Sequence, residues 1–254
     1  GKPVWQKLLD KVGELFNKRF GPDWREKDRF FKEFEEELIR SEGSRPTDKK
    51  LYRTGTTPLD KPMDHYWQLR LKAVKEALEA NHFEVFLAND AGEARKIVKE
   101  QILPATGAKS VSWGGSMTFL ATGFYEEIKK MPGLEILDTF DRSKPPEENL
   151  EIRRRSVLAD LFITGTNALT EGGILVNLDM IGNRACSINF GPKHVVILVG
   201  RNKIVSELDD AMYRVKNYAA PVNAMRLDKK TPCVKTSYCE DCKSPDRICN
   251  VWTI

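Results

Sequence analysis

The feature that most restricts the fold is an alternation running from residue 63 to residue 218. Short apolar runs (FEVFLA, SVSW, LEILD, LFITGT, GILVNL and HVVILVG) alternate with longer segments of helical periodicity. The first helical segment starts at Met63 and places Trp67, Leu71, Val74 and Leu78 on one face, at spacings of three and four. GEARKIVKEQIL, the stretch from Phe119 to Lys129, ENLEIRRRSVL and the stretch from Lys203 to Tyr218 are the later ones. Strands that alternate with helices form βαβ units, whose sheet is parallel and covered on both faces. The fold class predicted is therefore α/β: a Rossmann-like, mostly parallel sheet with helices on both faces. An N-terminal helical extension and a C-terminal cysteine-rich tail complete it.

Three regions follow from the punctuation. Residues 1–62 form a helical extension and linker. Val4, Leu8, Val12, Leu15 and Phe16 give one amphipathic helix, and Phe30, Phe31, Phe34 and Leu38 a second. Residues 41–62 are polar and proline-punctuated, as a linker is. The aromatic faces of the two helices need a cover. Either the main domain supplies it or a second copy does, which would make a homo-oligomer. Residues 63–225 are the α/β domain, and residues 226–254 the cysteine-rich tail.

Charge excludes some partners. The 41 basic and 37 acidic residues leave a net charge of +4, with both signs interspersed. No basic stripe for nucleic acid results, and Arg153–Arg155 reads as an exposed helix face. No apolar run approaches the roughly 18 residues of a membrane span. GKPVWQKLLD carries no apolar core before a cleavage site, so the expected location is cytoplasmic.

In sheets of this kind the ligand lies outside the carboxyl ends of the strands. The loops there are SWGGSMT, TGTNALTEGG, NLDMIGNR and GRNK, all rich in residues that hold anions through backbone N–H groups and hydroxyls. The first loop offers Gly114, Gly115 and Ser116 for anion binding, or else a plain strand–helix turn with Ser116 as N-cap. The second offers Gly165, Thr166 and Asn167 as ligand contacts. Its one carboxylate, Glu171, is the candidate catalytic group, with a solvent-exposed turn residue as the alternative. The third brings Asn177, Asp179, Asn183 and Arg184. The guanidinium of Arg184 suits a carboxylate or phosphate clamp; a structural ion pair with Asp179 is the alternative. The expected ligand is a small organic acid or a phosphate-containing molecule. His65, His82 and His194 lack ligand-like spacing, and Cys186 reads as a small core residue. No Walker loop occurs, and no GxGxxG opens the first strand.

The other four of the five cysteines fall at Cys233, Cys239, Cys242 and Cys249, in the pattern C-x5-C-x2-C-x6-C. Thiolates bind zinc and iron–sulfur centres. Structural zinc is usually held by two tight CxxC knuckles, and here only Cys239 and Cys242 form one. A [4Fe–4S] cluster is the favoured ligand set, with Zn2+ and free or paired thiols as alternatives.

GGSMT, ADLFITGTNALTEGGILVNLDMIGNR and FGPKHVVILVGRNKIV, in that order, resemble the lactate-utilisation (LUD) domain family. The resemblance implies a fold similar to the ribose-5-phosphate isomerase, glucosamine-6-phosphate isomerase and CoA-transferase superfamily. It implies a role in oxidising lactate to pyruvate beside iron–sulfur partner proteins. That company also favours the cluster over zinc. In CoA transferases of similar fold a glutamate is the nucleophile, which makes an isomerase or acyl-transferase using Glu171 the competing reading. A non-catalytic binding module with structural zinc is a third.

Overall fold

A computed structural model describes residues 60–254. The readings made on residues 1–59 lie outside the described residues. Helix α1 (Asp60–Ala80) opens the described chain. Strand β1 (Ser110–Trp113) pairs in parallel with β2 (Glu135–Leu137) on one side and β3 (Leu161–Gly165) on the other. β3 pairs in parallel with β6 (His194–Leu198) from Leu161↔His194 to Gly165↔Leu198. The order is β2-β1-β3-β6. β3 is central, and all five of its residues are buried, which is why LFITG reads as an unbroken apolar and small run.

The sheet is flanked by helices. They include α4 (Met117–Ala121) and α5 (Phe124–Ile128) after β1, α6 (Pro146–Ser156) before β3, and α7 (Asn183–Asn189). Val111, Trp113, Phe119, Phe124, Ile128, Leu161 and Ile163 make the main core. Each such side chain taken out of water stabilises the fold by roughly 1.5–3 kcal/mol. Around Trp113, Phe119 and Tyr125 pack edge to face or tilted. Asp138 accepts hydrogen bonds from Trp113 Nε1 (3.2 Å) and Tyr125 OH (2.9 Å).

GILVNL departs from the parallel expectation. Its strand β5 (Leu175–Asp179) joins a second sheet, antiparallel to β4 (Ala168–Thr170) and to β8 (Val251–Thr253). β7 (Ile204–Val205) completes the order β7-β4-β5-β8. The last residues of the chain are therefore a strand of this sheet. Asn250 adds two bonds to the same edge, N to Asp179 O (3.1 Å) and Nδ2 to Met180 O (2.9 Å).

FEVFLA is not a strand. Residues 83–88 run without a ladder, and Phe83, Phe86 and Leu87 are exposed. Two helices outrun their sequence signals. One runs as α2 (Ala91–Ile97), a π-turn (Val98–Ile102) and α3 (Leu103–Thr106). The other runs as α8 (Leu208–Arg214), a π-turn (Val215–Ala219) and α9 (Ala220–Arg226). In both, the π-turn comes just before a proline at the start of the next segment, Pro104 or Pro221. A proline has no N–H to give and crowds the carbonyl one turn back. The wider register absorbs it, and the helix continues where a stop was expected. The segment expected as one helix from Phe119 to Lys129 is split at Gly123, whose φ of 73° is left-handed.

Candidate functional site

The strand order fixes where to look. The chain leaves β1 towards β2 on one side and leaves β3 towards β6 on the other. The connections diverge at the carboxyl ends of β1 and β3, the crevice where open α/β sheets take ligands. Gly114–Ser116 follow β1, and Gly165–Asn167 end β3 or follow it.

Arg184 organises the floor beneath this edge. It enters from α7 and is buried. Its Nη1 donates to Gly165 O (2.9 Å) and Asn177 Oδ1 (2.7 Å). Its Nη2 donates to Asn167 Oδ1 (2.7 Å) and Leu178 O (2.8 Å). The fork expected to clamp a ligand is thus turned inward, with every Nη hydrogen taken. Asp179 stands 3.9 Å from Nε and spends Oδ2 on the N–H of Ala185 (3.0 Å), so it caps α7. Gly114 makes room for the arginine stem: a Cβ there would stand 2.8 Å from Arg184 Cγ and from Thr164 Oγ1. Asn177 is 1% exposed, and its Nδ2 has no protein acceptor. Thr166 is buried, donating to Ala168 O (2.9 Å) and within reach of Val176 O (3.1 Å), a staple between β4 and β5.

Above this floor Ser116 and a residue not singled out from the sequence meet. Ser116 Oγ accepts from Phe119 N (3.1 Å) and so caps α4, which leaves its O–H free to donate. A Cβ on Gly165 would stand 2.6 Å from Ser116 Oγ and 3.4 Å from Lys203 Nζ. The hydroxyl and the ammonium therefore lie against the same face of Gly165. Lys203 ends the short 3-10 turn Arg201–Lys203 between β6 and β7. Burial, then the positive charges of Arg214 and Arg184, push its pKa down to about 8. Arg214 donates to Asn167 O (2.6 Å) and Asn202 O (3.1 Å). The GRNK loop stood among the strand-end loops, but its lysine carries no motif. The signal available was a lysine, two residues after Arg201, in a glycine–asparagine loop followed by apolar residues.

The remaining candidates are placed as follows. Glu171 sits just beyond β4, and its carboxylate is paired with Arg70 of α1. Gly115 faces open space. Asn183 opens α7, and its carbonyl accepts from Ser187 Oγ (3.0 Å). Cys186 is exposed rather than in the core: α7 turns Arg184, Ala185 and Ser187 inward, and the position between them faces out.

The four late cysteines come together. Cys233 lies on α10 (Pro232–Thr236), Cys239 and Cys242 on the loop after it, and Cys249 just before β8. All four thiols are free and line one cavity, with Lys216, Ala220 and Arg247 among its walls. Arg247 donates to two cysteine carbonyls, Nη1 to Cys242 O and Nε to Cys249 O, both at 2.9 Å. Burial pushes the Cys249 thiol up, with Arg247 opposing. Among the described residues, no group of three or more His, Cys, Asp or Glu side chains is placed to hold a metal ion.

The topology and the polar strand-end site place the chain among the Rossmann-like α/β proteins. The family model described as LUD domain matches residues 71–254, and the chain belongs to that family. The match takes in the cysteine segment and β8. No curated protein and no solved structure matches the chain. Among the described residues, no helix is long and apolar enough to cross a membrane.

Proposed function

We propose that this LUD-domain protein takes part in oxidising lactate or a related small organic acid, which it binds at the β1–β3 crevice, and that it carries a [4Fe–4S] cluster on Cys233, Cys239, Cys242 and Cys249. The observation that carries the reading is the cavity lined by all four thiols. Only Cys239 and Cys242 stand at the CxxC spacing of a zinc knuckle, and the looser spacing of Cys233 and Cys249 favours a cluster over zinc.

When bound, such a cluster supplies one-electron transfer with no iron left open to substrate. The chain's own residues do the rest. Arg247 brings positive charge to the thiolate cavity, while Lys216 is paired with Asp241 and Glu240 also lines the wall. Arg247 also fixes the backbone at two of the ligands. At the crevice, Ser116 and the 165–167 loop face the ligand, and Arg184 holds that loop in place. The ion pair with Arg70 leaves Glu171 poorly placed as a nucleophile.

Anaerobic purification followed by iron, sulfide and zinc analysis tests this. About four irons and four sulfides per chain, with a broad visible band bleached by dithionite, are expected. Stoichiometric zinc in a colourless protein would overturn the reading.

A further inference from the structure

The cations around the end of β3 outnumber their counter-charges. Arg184 and Arg214 both bear on Lys203 there. Asp179 stands beside Arg184 at 3.9 Å. The charged groups acting on Lys203 are the two arginines, and no carboxylate among the described residues is one of them. A part-buried ammonium between two guanidinium groups is unfavourable unless an anion joins it. A second observation points the same way. Asn177, in the Arg184 network, holds a buried N–H pair with no protein acceptor. The site has donors and positive charge to spare and too few acceptors.

Geometry says where the anion goes. Ser116 Oγ, the Leu198 carbonyl oxygen and Lys203 Nζ close over the bare face of Gly165, 2.6, 3.1 and 3.4 Å from where a side chain would begin, so the hydroxyl and the ammonium share one side of this strand end. Any residue larger than glycine would strike the serine hydroxyl. Ser116 keeps its O–H for a ligand, because the cap uses only its lone pair. These positions lie at the divergence of the strand connections, where the sheet geometry expects a ligand.

We propose that Lys203 is the anion-binding residue of this crevice, its ammonium and the Ser116 hydroxyl gripping the carboxylate of a small organic acid at the carboxyl end of β3. The inference rests on the reading that the organic acid binds at this edge. Arg184 contributes potential without direct contact, since its Nη donors hold Gly165, Asn167, Asn177 and Leu178; Arg214, which spends two donors on Asn167 and Asn202, adds its charge beside them. A phosphate group presents the same oxyanion chemistry, so both sources are tested.

The test is calorimetric titration of the full chain with L-lactate, pyruvate and inorganic phosphate, one at a time. Lys203→Met should lose at least tenfold in affinity for whichever anion the parent binds, and Lys203→Arg should keep part of it. Tightest binding of lactate or pyruvate supports the carboxylate assignment. Loss confined to phosphate keeps Lys203 as the oxyanion residue but overturns the carboxylate. Should Lys203→Met fail to fold, the parent answers instead. The bound anion should slow acylation of Lys203 by acetic anhydride, read by peptide mass. Binding of equal strength in parent and Lys203→Met, or binding without protection of Lys203, removes Lys203 from the site while leaving an acid-binding edge intact. A parent that binds none of the three anions overturns the edge itself and this inference with it, whatever the metal analysis shows.

Discussion

Arg184 joins the ends of β3 and β5, and its four Nη bonds reach acceptors on both. Arg184→Ala would orphan buried acceptors and leave a hole in the floor, a loss of about 3–5 kcal/mol in stability. Chemical denaturation checks this; a variant of parental stability would mean that water replaces the guanidinium at no cost. Gly114→Ala should cost about 1–3 kcal/mol by pushing on the Arg184 stem. Lys203 gives the pH prediction. Its folded pKa of about 8 lies below the ordinary 10.5. Between those values the unfolded chain binds the extra proton, so stability rises with pH across that window, by on the order of 2 kcal/mol. The groups facing the ammonium are Arg184, Arg214 and the Ser116 hydroxyl, so none of them supplies an opposing carboxylate titration. Lys203→Met should flatten the rise and raise the melting temperature at pH 7. A rise that persists in the variant would place its origin elsewhere. At this scale the sequence showed which loops meet. It could not show that Arg184 looks inward, because whether a guanidinium serves ligand or backbone depends on acceptors contributed by residues 165, 167, 177 and 178 once folded.

Between elements, Asp160 ties the starts of β1 and β3. Its Oδ2 accepts from Lys109 N (2.9 Å) and Ser110 N (3.1 Å), and its Oδ1 pairs with Lys193 Nζ (2.7 Å). The Lys193 ammonium and then the backbone N–H of Lys109 hold its carboxyl well below the usual carboxylate range. A depressed carboxylate contributes stability that is present above its unfolded value, near 3.8, and is lost as pH falls through the folded one. Asp160→Asn should therefore lose stability at pH 7 and lose less on acidification below about pH 4 than the parent does. Parallel acid profiles for the two proteins would show that Asp160 is not part of the acid response. Strands β1 and β3 were legible from apolar runs because they are buried inside a parallel sheet, and the edge strands β2 and β6 because they keep apolar runs though only partly buried. The helices at Pro104 and Pro221 were not legible to their ends. Proline reads as a stop, and only the folded chain shows the π-turn that carries the helix past it. β8 was hidden for a different reason. VWT is too short for a period, and its partner β5 lies some seventy residues away.

The described residues form two sheets, and the thiol cavity belongs to the second. The cysteine segment follows α9 and ends in β8, which pairs with β5 through Asn177↔Thr253, Leu178↔Trp252 and Asp179↔Val251. Cys249 and Trp252 pack against the small core of Ala168, Val176, Ala211 and Val215. The parallel sheet has its own core around Trp113 and Phe119. A metal centre bound by the four thiols would hold both ends of the 233–249 loop and so pin β8 onto β5. Cys239→Ser should lower bound metal sharply and loosen this half of the protein alone. Hydrogen exchange resolves the two halves. Amides of Asn250, which donates to Asp179 O, and Trp252 should exchange at least tenfold faster after metal loss, while those of Val111 and Phe162 keep their protection. Exchange that rises equally in both sheets would mean that the two cores unfold as one unit. Exchange unchanged in both would mean that β8 holds without the centre, and the cysteines would then serve chemistry and not the fold.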